Sequence, residues 1–121
     1  MGAHTTGEAL GALAAREAEA SERAERLVAE LRALAEAAAG SNADDEHDPE
    51  GATLAFEREQ VAALLRQTEA DLVELAAARA RVAAGAYGVC EVCGGPVGDE
   101  RLVVRPAART CVACAQGRRG A

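Results

Sequence analysis

Cys90-Glu91-Val92-Cys93-Gly94-Gly95 and, with seventeen residues between Cys93 and Cys111, Cys111-Val112-Ala113-Cys114 hold every cysteine of this 121-residue chain. Each Cys-x2-Cys pair can offer two thiolates to one cation from a single tight turn. Two such turns complete a tetrahedral four-sulfur shell, the geometry that structural zinc prefers. The spacing lies in the C-x2-C-x15–20-C-x2-C range of zinc sites. Gly94 and Gly95 follow the first pair where the turn needs a residue that tolerates positive φ. The expectation is one structural Zn2+ held by Cys90, Cys93, Cys111 and Cys114. A closed shell of this kind leaves no open coordination position and so argues against metal catalysis. Iron in the same cage shares the spacing. Two disulfides fit a reducing cytosol poorly, and the sequence begins with no secretory signal. No βαβ pattern accompanies either pair, as a thioredoxin-like redox motif would require.

Outside this module the chain has little with which to build a globular core. It contains one Phe, one Tyr, one Met and no Trp, and alanine supplies most of its 50% hydrophobic content. Such a chain folds by pairing alanine- and leucine-lined helices, by stapling a small module with metal, or by both. The net charge of −7 disfavours non-specific nucleic-acid binding as the main activity, and no sequence-specific DNA binding is expected. No apolar run is long enough for a membrane span, so a soluble cytoplasmic protein is expected. All thirteen Lys+Arg residues are arginine, which codon bias in a GC-rich genome explains better than function does.

Working back from the cysteines, two segments carry helical heptads. Leu10, Leu13, Glu17, Ala20, Ala24, Leu27, Leu31, Leu34 and Ala38 recur at steps of three and four, with Glu and Arg on the other faces. Polar Glu17 marks a weaker point in that seam. Gly40-Ser41-Asn42 ends the first helix. Asp48-Pro49 reads as an N-cap followed by proline at the first helical position, with Thr53 as a later alternative. The second helix carries Leu54, Val61, Leu65, Thr68, Leu72, Leu75, Arg79 and Val82, and stops at Gly85. A loop this short makes the two helices antiparallel. At roughly 1.5 Å per residue, arms of about thirty residues form a rod of order 45 Å. The fold class is therefore mainly α: a long antiparallel helical hairpin, or coiled coil, over residues 1–86, then a small C4 zinc-finger module with a short tail over 87–121. Leu102-Val103-Val104 is read as a short strand between the two cysteine turns, and Pro106 as a bend.

The connecting loop, about residues 40–52, concentrates Asp44, Asp45, Glu46, Asp48 and Glu50 around His47. As a bland feature, these acids solvate a turn and favour the N-terminus of the second helix. As a functional one, they present negative charge to a cation, a bound metal ion or a basic pocket. With no nucleophile, no phosphate-binding glycine loop and no pocket-forming apolar surface beside them, an enzyme is not expected.

The run Tyr87-Gly88-Val89-Cys90-Glu91-Val92-Cys93-Gly94, continued by Arg101-Leu102, Pro106 and Cys111-Val112-Ala113-Cys114, closely resembles the C4 zinc finger of the DksA/TraR family. With the acidic hairpin before it, the resemblance extends from about residue 8 to residue 115. It implies a bacterial regulator that binds RNA polymerase rather than DNA. The coiled coil would enter the polymerase secondary channel, and the acidic tip would approach the catalytic magnesium centre and modulate initiation. The family's tip motif is Asp-x-x-Asp-x-Ala. Counting back from Cys90 without gaps places His47, Glu50 and Ala52 there, whereas a shifted register offers Asp45 and Asp48. The effector set is accordingly Asp45, Asp48, Glu50 and Ala52. Of three basic positions associated with ppGpp near the finger, two fall on Glu74 and Ala115 and one on Arg105, which argues against ppGpp sensitivity through that site. Read without the resemblance, the same residues describe a zinc-stabilised coiled-coil adaptor for another protein.

Overall fold

The computed structural model describes residues 6–40 and 49–117, with side chains from residue 51 onward in the second segment. Two long helices dominate it: α1 (Thr6–Ala39) and α2 (Pro49–Ala83). Two short ones follow, α3 (Asp99–Val104) and α4 (Val112–Ala115). Among the described residues the β content is a single antiparallel bridge, Val89 to Pro96.

α1 and α2 pair as a helical hairpin, and the reason is visible in which residues lose solvent. Along α1 the inward series runs Ala9, Leu13, Glu17, Ala20, Ala24, Leu27, Leu31, Leu34 and Ala38, all buried or half-buried. Along α2 it runs Leu54, Val61, Leu65, Thr68, Leu72, Leu75, Ala78 and Val82. Both series step by threes and fours, apart from one full heptad between Leu54 and Val61, the period that keeps one face of a helix against a neighbour.

Two seam positions differ from the sequence reading. Leu10 is 40% exposed, and Ala9, at 4%, takes its place. The step from Leu13 is four rather than three, and at a close approach a methyl fits where an isobutyl group does not. Likewise Ala78 is fully buried while Arg79 is exposed. Arg79 lies beside the seam, where its Nε pairs with Glu17 Oε1 at 3.2 Å. Glu17 is thus no weak point left unpartnered; its carboxylate is compensated across the helix pair. Thr68 is buried, and its hydroxyl donates to Leu64 O at 2.8 Å, the i−4 bond that makes a threonine tolerable in an apolar seam.

The helix ends follow local chemistry. α1 stops beside Gly40, whose N–H donates to Glu36 O. α2 begins at Pro49, as proline at a first helical position predicts, rather than at Thr53. At its far end Gly85 takes φ +75°, with Gly85 N–H donating to Val82 O and Ala86 N–H to Arg81 O. That pair of bonds is a Schellman stop, which needs a residue free of the left-handed penalty.

Residues 102–104 correct the strand expectation: they form the last turn of α3. Two adjacent valines favour extended chain in the abstract. Here Asp99 and Glu100 occupy the first turn, where acids favour a helix, and only Leu102 is buried while Val103 and Val104 face solvent. A strand in that position would have no partner to complete its hydrogen bonds.

The chain groups into two compact units: residues 1–18 with 72–121, and residues 19–71. In the first, Leu13 and Ala78 are fully buried. Leu13→Ala is expected to cost about 2–4 kcal/mol of unfolding free energy, the range for a well-packed leucine. Leu31→Ala, at a half-buried site in the second unit, should fall at or below the bottom of that range, whereas Leu31→Asp should be far worse because it buries an unpaired charge. Thermal and urea unfolding monitored by circular dichroism checks the order; equal losses for the two alanine variants would contradict the seam.

Candidate metal centre and its anchorage

The sulfur atoms of Cys90, Cys93, Cys111 and Cys114 all lie within 4.8 Å of one another. Cys93 Sγ and Cys111 Sγ are 4.0 Å apart, and all four cysteines are free thiols rather than disulfides. A tetrahedral zinc with Zn–S of about 2.3 Å requires sulfurs roughly 3.8 Å apart, so the donor set fits one Zn2+ in number, type and spacing.

Local backbone explains how the set is assembled. In the first turn Cys90 N–H donates to Gly95 O at 2.8 Å and Gly94 N–H to Cys90 O at 3.0 Å. Gly94 has φ +75°, as the sequence reading expects, and Gly95 N–H donates to Cys93 Sγ at 3.4 Å. The Val89–Pro96 bridge closes the loop behind it, with Val97 N–H donating to Gly88 O at 2.8 Å. The second turn uses a helix start. Cys111 sits immediately before α4, Cys114 lies within it, and Ala115 N–H donates to Cys111 O. Glu91 N–H donates to Arg109 O at 2.9 Å and joins the two turns directly.

The thiols differ in acidity. Backbone N–H groups, first that of Cys93, hold Cys90 down to about 6. The Cys114 N–H likewise lowers Cys111. Burial, reinforced by the neighbouring sulfurs, pushes Cys114 up to about 12. Four thiolates this close repel one another, and a divalent cation is the charge that lets all of them ionise together.

Around the sulfurs the module has a small core: Val97 and Leu102 are buried with Cys90 and Cys111, and Tyr87, Ala108, Ala113 and Cys114 pack against them. The module is fastened to the adjoining ends of α1 and α2 by side chains that the sequence reading did not single out. Arg16 Nη2 donates to Val104 O at 3.3 Å, and Arg81 Nη2 donates to Ala107 O at 3.2 Å. The Tyr87 hydroxyl donates to Pro106 O at 2.7 Å, and burial pushes this phenol above its ordinary value. Arg101 Nε donates to Thr110 O at 2.8 Å and ties α3 to the second turn. Arg109 makes two ion pairs, Nε to Glu74 Oε1 at 2.7 Å and Nη1 to Glu91 Oε2 at 3.0 Å. The bond to Arg109 holds the Glu74 carboxyl below its ordinary 4.5. Glu74 is therefore engaged, while Arg105 is exposed.

Of the other sequence-predicted site residues, Asp45 and Asp48 lie outside the described residues. Glu50 falls in the first turn of α2, and Ala52 is exposed on the next. Among the described residues no helix is long and apolar enough to cross a membrane.

Residues 85–119 match the prokaryotic dksA/traR C4-type zinc finger. A search of curated proteins gives no match. The solved structure of transcription factor DksA2 from Pseudomonas aeruginosa is similar to the chain, with a TM-score of 0.71 and 27% identity. That likeness covers 88% of this chain and 76% of the other. The four-cysteine set is thus a zinc-finger site for one structural Zn2+, in agreement with its geometry.

Because the apolar core beside the sulfurs is so small, the metal supplies most of the folding free energy of the module. Cys90→Ser or Cys111→Ser is expected to abolish zinc stoichiometry and unfold residues 87–115 while most helical circular dichroism survives. An ordered finger after complete chelation would contradict this. Arg109→Ala should loosen the finger without releasing zinc, by about 1 kcal/mol or less because both ion pairs are solvent-exposed. Glu74 has a depressed pKa, so its share of that link is present above the ordinary carboxylate range and disappears as pH falls below it. Because acid also protonates the thiolates and releases the metal, the link is read at neutral pH: Glu74→Gln should loosen amide exchange in the zinc-loaded finger as Arg109→Ala does.

Proposed function

We propose that the chain, whose residues 85–119 match the prokaryotic dksA/traR C4-type zinc finger, is a transcription regulator that binds RNA polymerase through the secondary channel. In this reading residues 1–86 act as the inserted hairpin, and residues 87–121 as the base that orients it. The acidic segment between α1 and α2 is the effector, and no catalytic step belongs to the protein itself. The observation that carries the reading is a family-matched finger joined to a helical hairpin that resembles a transcription factor over 88% of the chain.

The physical case rests on where charge is placed. A few carboxylates in a confined, partly desolvated active centre act far more strongly than in bulk water. Asp45, Asp48 and Glu50, with Ala52 one turn into α2, are the proposed effector set. A contribution from ppGpp beside the finger is not part of the reading, since Glu74 is a carboxylate engaged by Arg109. The arginines of the finger base are also largely committed: Arg16, Arg81, Arg101 and Arg109 all make hydrogen bonds or ion pairs within the protein.

Replacing Asp45 and Asp48 by Asn and Glu50 by Gln together should separate binding from effect. Affinity for purified polymerase is expected to fall only a few-fold, since most contact area would lie along the helices and finger. Regulation of initiation in a reconstituted transcription assay should largely disappear. A triple variant that regulates as well as wild type would reduce the segment to a turn. Failure of the wild-type protein to bind polymerase would replace the proposal by the adaptor reading.

A further inference from the structure

At Arg109 a single side chain joins the first cysteine turn to α2. Its Nε donates to Glu74 Oε1 at 2.7 Å and its Nη1 to Glu91 Oε2 at 3.0 Å. Glu91 lies inside the first turn, between Cys90 and Cys93, and Arg109 lies two residues before Cys111. The main chain repeats this link in the opposite sense, since Glu91 N–H donates to Arg109 O at 2.9 Å. Residues 91 and 109 are thus bonded twice, each donating once, immediately outside the sulfur shell. The guanidinium is planar, so binding Nε to Glu74 also fixes where Nη1 points. Glu74 itself stands on α2, apart from the two turns that supply the sulfurs. The ties from Arg16 and Arg81 end instead on Val104 O and Ala107 O.

We propose that Arg109 is a positioning residue for the metal, through which Glu74 of α2 governs how fast zinc leaves the finger. Of the four thiols Cys93 is exposed, while Cys90 and Cys111 are buried, so a competing ligand enters at Cys93. To free the ion altogether the two turns must part, and parting them breaks both bonds between residues 91 and 109. With Glu74 in place the guanidinium is ordered before it meets Glu91, and the second ion pair costs little further side-chain entropy. Without Glu74 the long side chain is free to leave Glu91, and the turns part more often. The sulfur shell is complete with or without Arg109; what differs is the rate at which it opens. The coupling is reciprocal, as linkage requires: a metal that holds the turns together also holds Arg109 on α2.

Transfer of zinc to the chromogenic chelator pyridylazoresorcinol, followed by absorbance at neutral pH on the full, zinc-loaded chain, tests the proposal. Glu74→Gln, which alters no residue of the finger, is expected to speed transfer roughly two- to fivefold, the scale of an exposed ion pair. Arg109→Ala should speed it at least as much, and adding Glu74→Gln to Arg109→Ala should change nothing further. Should Arg109→Ala fail to retain zinc on purification, the same cycle is run on Arg109→Lys. That variant keeps the charge but not the planar fork, and it should also release zinc faster than wild type. Arg16→Ala, which removes a tie that bypasses residues 91 and 109, should transfer zinc at the wild-type rate. A Glu74→Gln protein no faster than wild type overturns the proposal. So does an equal effect of Glu74→Gln with and without Arg109. Wild-type transfer in Arg109→Lys would show that charge alone suffices, and Arg16→Ala as fast as Glu74→Gln would make general anchorage the cause; either overturns it.

Discussion

Closure of four sulfurs around one cation is the constraint on which the C-terminal third of the protein depends. Among the described residues of the finger, Val97 and Leu102 are the large apolar side chains buried with Cys90 and Cys111, too few to hold some thirty residues against chain entropy. Once the two cysteine turns are joined, the remaining contacts become local. Arg101 reaches Thr110 O, Tyr87 reaches Pro106 O, and Glu91 N–H reaches Arg109 O. Each of these joins segments that only the metal brings within range. The metal is in that sense a folding element, and its four-sulfur shell leaves it no position for chemistry.

The hairpin solves a different problem with thinner means. Alanines at positions 9, 20, 24, 38 and 78 let two helices approach closely, but each buries little area. Stability then rests on a handful of larger residues, Leu13, Leu27, Val61 and Leu75, spread along the pair. Polar residues are tolerated only where a partner is supplied. Glu17 has Arg79, and Thr68 has the carbonyl of Leu64. Unpaired, either group would cost more than the neighbouring alanines return.

The sequence made most of this legible because its strongest signals are chemical or periodic. Cysteine spacing identified the metal site, heptad steps identified both helices, and Gly40, Pro49 and Gly85 marked three of their ends. The misreadings share a cause, which is that they turned on tertiary context. Leu10 and Ala9 both extend a three-four pattern, and only the spacing between helices decides between them. Val103-Val104 has strand propensity, but no adjacent strand exists among the described residues to receive it. The anchoring arginines were invisible for a further reason. Arg16 and Arg81 donate to main-chain carbonyls of Val104 and Ala107, and a carbonyl carries no residue identity that a sequence could display.

Anchorage through carbonyls also bears on how the finger can serve the hairpin. A guanidinium bonded to a backbone oxygen fixes position without adding a second charge to the contact. The finger can therefore be held on α1 and α2 while its own side chains remain free to face outward, as Val89, Val92, Val103, Val104 and Val112 do. Arg109 is the exception, since it binds two carboxylates, one on α2 and one in the first cysteine turn. Its two ion pairs connect the metal turns to a helix at a point that neither the small apolar core nor the carbonyl contacts reach. Metal closure orders the finger internally, and Arg109 transmits that order to α2 alongside the bond from Arg81 to Ala107 O. The direction of dependence follows: an unfolded finger leaves Arg109 without a fixed position, whereas a missing Arg109 leaves the sulfur cage intact.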